Sequence, residues 1–189
     1  SNDSYSEYFA VFDVSNHNSQ DIMGSLEAFQ NVDWVHSCAV VDGTLYLAAQ
    51  PLGLMVVDIS KPSCPRVLTT LSLPDGDVSL TAGNQRLYVA GNDGLLVLDV
   101  SSAENPMEIT TIGLLGPIVD VAVAQEIAVL LSKDGFCHTG SFEDKDHPQH
   151  SGSVGGPGDP KAIALNQTTA FIAAGFSEGL QIVDISDPQ

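Results

Sequence analysis

One eight-residue pattern recurs along the chain and constrains its fold more than any other feature. It reads Gly-Leu-Met-Val-Val-Asp-Ile-Ser at residues 53–60, and close variants occupy residues 94–101 and 179–186. A form without the leading glycine lies at 8–15, and a degenerate copy lies at 135–141. Successive copies start roughly 40–45 residues apart, so the chain is built from modules of that length.

The composition of the copies favours strands over helices. A period of this length fits the blades of a propeller or the helix pairs of HEAT-type repeats. Residues 54–57 and 95–98 are short apolar runs with glycine before them and turn-forming residues after them. Such runs predict strands that are buried on both faces, and no window carries a sustained 3.6-residue periodicity. We therefore interpret each module as a set of β-strands.

The Asp-x-Ser ending predicts a turn rather than a catalytic group. The side chains of Asp58 and Ser60 can accept hydrogen bonds from backbone N–H groups just downstream, which starts a turn. Prolines follow at positions 62, 65, 106 and 188. Since proline cannot donate to a sheet ladder, the marker strand must end there.

Composition limits the classes of partner. The chain has 189 residues, 43% hydrophobic and 6% aromatic, and a formal net charge of −18. Nucleic acid and anionic membrane surfaces are disfavoured because their phosphates would be repelled. Basic proteins, cationic ligands and Ca²⁺ stay compatible with this charge, and the simplest interpretation is that the acids keep a sheet-rich protein in solution.

The cysteines and the hydropathy give further bounds. Cys38, Cys64 and Cys137 form no C-x-x-C pair and are odd in number, which argues against a disulfide scaffold. Cys38 and Cys137 fall within strand patterns, where a free cysteine usually acts as a small hydrophobe. No apolar run is long enough to span a bilayer, and we expect no membrane insertion. No signal peptide is visible, as expected of a mature or excised form.

The strand pattern divides residues 8–189 into five modules after a polar, flexible start at residues 1–7. The modules cover 8–30, 31–73, 74–115, 116–155 and 156–189, with two, four, four, four and three predicted strands. Hairpin turns are predicted at Asp42-Gly43 and Gly83-Asn84. A meander of short strands cannot bury both faces alone, but modules stacked around an axis can. The prediction is an all-β β-propeller with four-stranded antiparallel blades, about four to five of them in this chain.

The segment 180–188, Leu-Gln-Ile-Val-Asp-Ile-Ser-Asp-Pro, resembles the LVIVD repeat family, and so do residues 54–62 and 95–106. The similarity extends from Tyr8 onward but fails at 135–150, where Gly140 stands in the place of the aspartate. The resemblance implies a β-propeller of bacterial or archaeal proteins that are secreted or held at the cell surface. It implies little about biochemical activity.

The incomplete modules at the two ends leave two arrangements open. The chain closes a small ring if its terminal strands share one blade, or it is an arc of a larger propeller, which we favour. An open arc exposes an apolar blade face, which favours closure of the ring or a partner chain.

Propellers usually bind ligands at the mouth of the central channel, on two sets of loops. These are the leading loops, which precede the first strand of each blade, and the second hairpins, which join its second and third strands. The leading loops supply Asp33, Trp34, His36, Asp75, Asp77, Asp159 and Lys161, and the second hairpins supply Gln50, Asn92, Asp93, Lys133, Asp134 and Glu178.

Two candidate metal sites follow from these residues. Carboxylate oxygens suit Ca²⁺ or Mg²⁺, so Asp77, Asp159 and His36 are candidate ligands at the channel. Their spacing in the sequence matches no EF-hand loop. The competing interpretation is that these acidic residues form a solvated rim. His147 and His150 lie three residues apart among acidic residues near His138, as in some transition-metal sites. No third ligand has a fixed spacing to them, and a polar loop explains the segment more simply.

No nucleophile elbow, phosphate-binding glycine loop or spaced acid–base pair occurs, and residues 155–158 read as a linker between blades. The sequence therefore predicts a non-enzymatic, cofactor-free propeller at the cell surface or outside the cell that binds a protein or a glycan or acts as a scaffold. One alternative is a cation-dependent hydrolase or lyase with its site at the channel mouth. Another is a structural repeat that self-associates through the edges of its terminal strands.

Overall fold

The computed structural model describes residues 9–15, 21–26, 32–73, 76–113, 116–124, 127–141, 149–175 and 179–186. Within these ranges the chain forms seventeen β-strands and no helix. The strands make five antiparallel sheets with two, four, four, four and three members, and each sheet is a meander in chain order. The predicted fold class is confirmed.

The strand bounds, sheet by sheet, show where each blade lies. Sheet 1 contains β1 (Phe9–Asp13) and β2 (Asp21–Leu26), and sheet 2 contains β3 (Trp34–Val41), β4 (Thr44–Gln50), β5 (Gly53–Asp58) and β6 (Arg66–Leu71). Sheet 3 contains β7 (Ser79–Gly83), β8 (Arg86–Gly91), β9 (Gly94–Asp99) and β10 (Met107–Ile112). Sheet 4 contains β11 (Ile118–Ala124), β12 (Ile127–Ser132), β13 (Phe136–Ser141) and β14 (Gln149–Gly155), and sheet 5 contains β15 (Pro160–Asn166), β16 (Thr169–Ala174) and β17 (Leu180–Asp184).

The chain divides into two compact units. The first comprises residues 1–73 with 103–105 and holds sheets 1 and 2, and the second comprises residues 74–102 with 106–189 and holds sheets 3 to 5. Among the described strands, β1 pairs only with β2, and β17 pairs only with β16.

The marker strands are buried as their composition predicts. In β5 the four residues Leu54 to Val57 are at most 2% exposed, which requires cover on both faces of the strand. Each strand then ends in the expected turn. The backbone N–H of Ser60 donates to the carboxylate of Asp58 at 2.9 Å, and the same bond recurs in the other copies at 15 to 13, 101 to 99 and 186 to 184. The Asp-x-Ser motif is turn chemistry.

The first hairpin turns confirm one prediction and correct another. Asp42 and Gly43 have φ angles of 48° and 74°, the left-handed pair of a two-residue β-hairpin. In sheet 3 the turn lies at Asn84 and Gln85, with φ of 52° and 58°, one residue later than predicted. Gly83 pairs with Arg86 as part of the ladder. The ladder overrides the stronger local turn signal of Gly-Asn because a one-residue slip would turn every side chain to the wrong face.

The degenerate module also differs by one residue from the sequence prediction. The marker aspartates lie opposite the first residue of the preceding strand, as Asp58 does with Thr44. In sheet 4 the residue in that position is Ser141, opposite Ile127, whereas Gly140 pairs with Ala128. The reason is a longer second hairpin, which has three residues between β12 and β13 where sheets 2 and 3 have two. Ser141, and not Gly140, therefore replaces the aspartate.

In the first unit, one core joins sheet 2 to sheet 1. Leu45, Leu47, Met55 and Val57 share one face of sheet 2, and Phe9 and Leu26 of sheet 1 pack against them. This contact uses the second and third strands of sheet 2.

In the second unit, every pair of successive sheets encloses a core. Between sheets 3 and 4 the buried residues are Tyr88, Ala90, Leu95, Val97, Ile118, Val121, Ala128 and Leu130. Between sheets 4 and 5 they are Val129, Leu131, Cys137, Ile163, Ala170, Ile172 and Ile185. The first strands also meet, since β11 lies beside both β7 and β15. Sheet 4 thus buries one face against the preceding sheet and the other against the following one, as propeller blades do.

Candidate functional site

In each of sheets 2 to 5, the leading loop and the second hairpin meet at one end of the blade, here called the loop end. In sheet 2 the N–H of Asp33 donates to the carbonyl of Gln50 at 2.7 Å. In sheet 4 the N–H of Lys133 donates to the carbonyl of Pro117 at 2.9 Å. In sheet 5 the N–H of Gly175 donates to the carbonyl of Asp159 at 2.8 Å. The two loop sets chosen from the sequence are therefore neighbours within each of these blades.

Sheet 3 has the same arrangement with a different contact. Gly76 in the leading loop lies so close to Asn92 of the second hairpin that a Cβ on the glycine would overlap the Asn92 amide. The φ of Gly76 is 107°, a conformation that side chains with a Cβ rarely adopt.

Most of the candidate site residues are exposed at these loop ends. The exposed ones are Asp33, Trp34, Asp77, Asn92, Asp93, Lys133, Asp134, Asp159 and Lys161, while His36 and Gln50 are half-buried. Trp34 is 70% exposed, which is unusual for the only tryptophan of the chain. Asp75, Glu178 and His147 lie outside the described residues. His150 lies in β14, where the structure describes its backbone pairing with Gly140 but not its side chain.

A β-bulge recurs at the start of the first strand of three blades. The ladder to the second strand skips His36 in sheet 2, Val119 in sheet 4 and Lys161 in sheet 5. Bulges re-aim side chains and are common beside binding sites. Two of the candidate residues, His36 and Lys161, are thus set apart from the regular alternation of their strands, a feature that composition did not reveal.

Two loop-end carboxylates have partners in their own blade. Asp159 pairs with Lys161 at 2.6 Å between Oδ1 and Nζ, with both side chains at least half exposed. An exposed pair of this kind contributes little to stability, but it neutralises a candidate cation ligand. Asp134 accepts a hydrogen bond from the Ser132 hydroxyl, which holds its carboxylate in the hairpin.

The marker aspartates are fixed as charged acceptors. The hydroxyl of Ser60, its backbone N–H and the guanidinium of Arg66 all donate to Asp58, and together they lower its pKa to about 2. The side-chain and backbone donors of Ser15 and Ser101 lower the pKa of Asp13 and Asp99 in the same way. Groups with such low pKa values stay ionised near neutral pH and do not act as proton donors there.

The described residues contain no group of three or more histidine, cysteine, aspartate or glutamate side chains that could hold a metal ion. His138 is buried in β13, and its Nδ1 lies 2.9 Å from the hydroxyl of Ser153 on β14. This contact joins neighbouring strands of one sheet.

The three cysteines are free thiols. The sequence had argued against a disulfide scaffold. Cys137 is buried between sheets 4 and 5, where burial raises the pKa of its thiol. Cys38, in contrast, is exposed, although its strand was predicted from an apolar pattern. Cys38 lies on the same face of sheet 2 as Leu47, its partner in the ladder. Sheet 1 packs on this face against β4 and β5, and Cys38 lies on β3.

One polar residue that the sequence prediction overlooked joins three blades. Asp120, on the first strand of sheet 4, accepts a hydrogen bond from the hydroxyl of Ser79 in sheet 3 at 2.6 Å. Its other carboxylate oxygen accepts from the N–H of Ile163 in sheet 5 at 2.9 Å. An acidic residue in the otherwise apolar segment 118–124 was the available signal. Asp120 therefore links the first strands of three successive blades by hydrogen bonds.

The LVIVD repeat family matches residues 35–70, 82–112 and 157–189, which together make up more than half of the chain. The chain belongs to the LVIVD repeat family. The matched segments lie in sheets 2, 3 and 5, and the gap between them contains sheet 4, the module without the marker aspartate.

Solved structures with the same fold include two designed proteins and one natural one. The computationally designed Ika4 protein is 15% identical, with a TM-score of 0.69 over 84% of this chain and 95% of Ika4. The designed Ika8 protein is 16% identical, with a TM-score of 0.71 over 88% of this chain and 50% of Ika8. BamB from Moraxella catarrhalis is 14% identical, with a TM-score of 0.60 over 77% of this chain and 41% of BamB.

At these identities the likeness shows the fold alone, a β-propeller repeat domain. The chain spans nearly all of Ika4 but only half of Ika8 and less than half of BamB. No curated protein matches the chain in sequence. None of the described segments forms a helix that could cross a membrane.

Proposed function

We propose that this LVIVD-repeat chain is a non-enzymatic binding domain, secreted or attached to the surface of a bacterial or archaeal cell, that recognises a basic protein through the loop end of sheet 2. The observation that carries the proposal is Trp34, an exposed indole beside the exposed carboxylate of Asp33. Large aromatic side chains of this kind are the usual anchors of protein interfaces.

The backbone under Trp34 is well fixed. Trp34 is the first residue of β3 and lies opposite Gln50 in the ladder. The N–H of the preceding Asp33 donates to the Gln50 carbonyl, so the leading loop is tied to the second hairpin. A side chain presented by a fixed backbone loses less conformational entropy on binding, which favours affinity.

The charge supports a basic partner. The net charge is −18, and the exposed carboxylate of Asp33 lies next to Trp34 in the chain, at the loop end of sheet 2. A negatively charged protein attracts cationic proteins and speeds their association, and salt screens the attraction. The proposed binding should therefore weaken as ionic strength rises.

The location outside the cell rests on the resemblance to secreted and cell-surface propellers. Fractionation of the source cells with an antibody against the chain is the direct test. Detection in the cell-wall, membrane-surface or medium fraction supports the location, and detection only in the cytoplasm contradicts it.

The binding test measures the chain against a panel of basic and acidic extracellular proteins and a glycan array. The expected result is selective binding to basic proteins, weakened about tenfold or more by Trp34→Ala, the loss typical of an interface anchor. Met107→Ala is the matched control, because Met107 is also well exposed but starts a fourth strand. Equal effects of the two variants, or binding to glycans only, would overturn the proposal.

A further inference from the structure

The first hairpin of sheet 5, which joins β15 to β16, carries the tripeptide Asn166-Gln167-Thr168. Asparagine followed two residues later by serine or threonine, with any residue but proline between them, is the acceptor signal of N-linked glycosylation. Three residues are a short signal, and it is used only where it lies on the accessible surface of an exported protein. The structure of this hairpin therefore decides whether the tripeptide can accept a glycan.

All three residues of the tripeptide are exposed to solvent. Asn166 is the last residue of β15 and lies opposite Thr169, the first residue of β16. Gln167 and Thr168 form the turn between the two strands, and the φ of Gln167 is 51°. The amide that would carry a glycan and the hydroxyl that completes the signal thus both lie at the tip of a hairpin.

The backbone of this hairpin is held by the core beneath it. The N–H of Ile185 donates to the carbonyl of Thr168 at 2.7 Å, and Ile185 is 4% exposed. Ala170, two residues after the turn, is buried between sheets 4 and 5. A substitution of the exposed side chain of Thr168 therefore leaves the burial that stabilises the blade unchanged.

The exposure belongs to the hairpin position and does not depend on the place of sheet 5 in the chain. Sheet 3 has the same hairpin, closed by a bond from the N–H of Val100 to the carbonyl of Gln85 at 2.9 Å. Sheet 4 packs against sheet 3. The turn residues Asn84 and Gln85 are nevertheless exposed, so a following blade does not cover this turn.

The position of Asn166 itself is also open in sheet 3. Its counterpart there is Gly83, which ends the first strand and lies opposite Arg86, the first residue of the second strand. A Cβ on Gly83 would meet nothing within 4 Å among the described residues. A side chain at this position thus extends into open space even in a blade that a following sheet covers.

We propose that Asn166 is a site of N-linked glycosylation, an inference that rests on the location outside the cell proposed above. The donor is an oligosaccharide joined through its anomeric carbon to the phosphate of a lipid carrier, and a membrane-bound transferase catalyses the step. The Nδ2 of Asn166 forms a bond to the anomeric carbon as the bond from that carbon to the phosphate oxygen breaks. The lipid phosphate leaves with the bonding pair, and the amide loses one proton, so nothing is oxidised or reduced.

The glycan lies at the end of sheet 5 opposite its loop end. Asp159 and Gly175 meet at the loop end, and β15 runs from there to Asn166. The length of this strand is about 20 Å at the usual rise per residue. A bulky, polar glycan on Asn166 therefore leaves the loop end of sheet 5 uncovered.

The experiment is mass spectrometry of the peptide that trypsin releases after Lys161, from chain purified out of the medium or surface fraction of the source cells. Asn166 is the only asparagine between Lys161 and Gln189, so the readout is separate from the second Asn-x-Ser of the sequence, at Asn2, outside the described residues. The expected peptide is heavier by an oligosaccharide, and its fragments place the sugar on Asn166. An exported chain with an unmodified Asn166 overturns this inference and leaves the proposed function standing. A chain found only in the cytoplasm contradicts the location, and both proposals fail with it.

Two substitutions of Thr168 distinguish a signal that the transferase reads from an asparagine that is merely exposed. Thr168→Ser keeps the hydroxyl and should be glycosylated like the wild type, whereas Thr168→Val keeps the shape of the side chain and should lose the glycan. Asn166→Gln should lose it as well. Because these side chains are exposed, the circular dichroism spectra of the three variants should match that of the unmodified wild type, which shows that each is folded. Glycosylation of Asn166 that is equal in Thr168→Val and the wild type overturns the proposal.

Discussion

Removal of the Asp120 carboxylate tests how strongly successive blades are joined at their first strands. The side chain links sheets 3, 4 and 5 through the Ser79 hydroxyl and the Ile163 N–H. Those partners are 41 and 43 residues away, about one repeat period in either direction. Asp120→Ala therefore breaks two contacts between blades while leaving every ladder within sheet 4 in place.

The expected loss follows from the two bonds. A hydrogen bond to a charged group contributes about 1.5–3 kcal/mol, and an N–H left without a partner in the interior costs about 1–3 kcal/mol. Asp120 is half-buried, so the lower part of this range applies. We expect Asp120→Ala to lower the free energy of unfolding by about 2–3 kcal/mol, or the Tm by about 4–12 °C in a chain of this size.

The assay is denaturant unfolding with linear extrapolation, backed by thermal unfolding at neutral pH. Ser79→Ala removes one of the two bonds and should cost about 1 kcal/mol. The double variant should lose less than the sum of the single losses because both substitutions break the same bond. Glu104→Ala, an exposed acidic residue, is the control and should change stability by less than about 0.5 kcal/mol. A loss in Asp120→Ala no larger than in the control would refute the reasoning.

Three further predictions concern the marker strands and the thiols. Gly53→Ala should cost about 2 kcal/mol or more, because φ is 90° and a Cβ would overlap the Leu71 carbonyl, whereas Gly83→Ala meets nothing; equal unfolding midpoints would contradict this. The charge of Asp58 stabilises the fold fully above the unfolded pKa of 3.8, and this stabilisation is lost as the pH falls towards 2. Asp58→Asn should therefore show a smaller fall in Tm than the wild type between pH 3.8 and 2. An equal fall in Tm in both proteins would contradict the prediction. A thiol reagent should label Cys38 and Cys64 in the native protein but Cys137 only after unfolding; immediate labelling of all three would show that the core between sheets 4 and 5 is open.

The strands and turns were predictable because their signals are local. The Asp42-Gly43 pair adopts the left-handed angles that a short hairpin requires, and Asp58 closes its turn with Ser60 two residues on. Neither depends on what lies across the sheet. Repetition of these signals at a constant period then identifies the blade, since a meander that recurs must bury its faces against its neighbours.

Register and burial were harder to predict because they depend on distant residues. The turn at Asn84 and the marker position at Ser141 each differ by one residue from the local prediction, and in both cases the ladder to the neighbouring strand decides. Cys38 lies in an apolar strand but is exposed, because cover depends on whether a neighbouring sheet reaches that strand.

The candidate site was predictable as a region but not as an arrangement. Loop lengths placed Asp33 and Asp159 at the loop ends, where the structure has them. The sequence pattern does not contain the pairings that produce the bulges at His36 and Lys161, because these depend on the neighbouring strand. It also does not contain the hydrogen bonds of Asp120, which depend on neighbouring blades. Asp120 lies on a strand, so a search restricted to loops had no reason to select it.

Sheet 4 shows which part of the repeat the fold depends on. It has Ser141 in place of the marker aspartate and a longer second hairpin, yet its four strands pair in the same order as those of sheets 2 and 3. Its residues Leu130 and Leu131 still fill the cores on either side. Burial between blades therefore maintains the architecture, and the Asp-x-Ser turn serves to end a strand that burial has already fixed. Because exposed loop-end side chains such as Trp34 take no part in that burial, the proposed partner should be sought from Trp34 and not from the repeated motif.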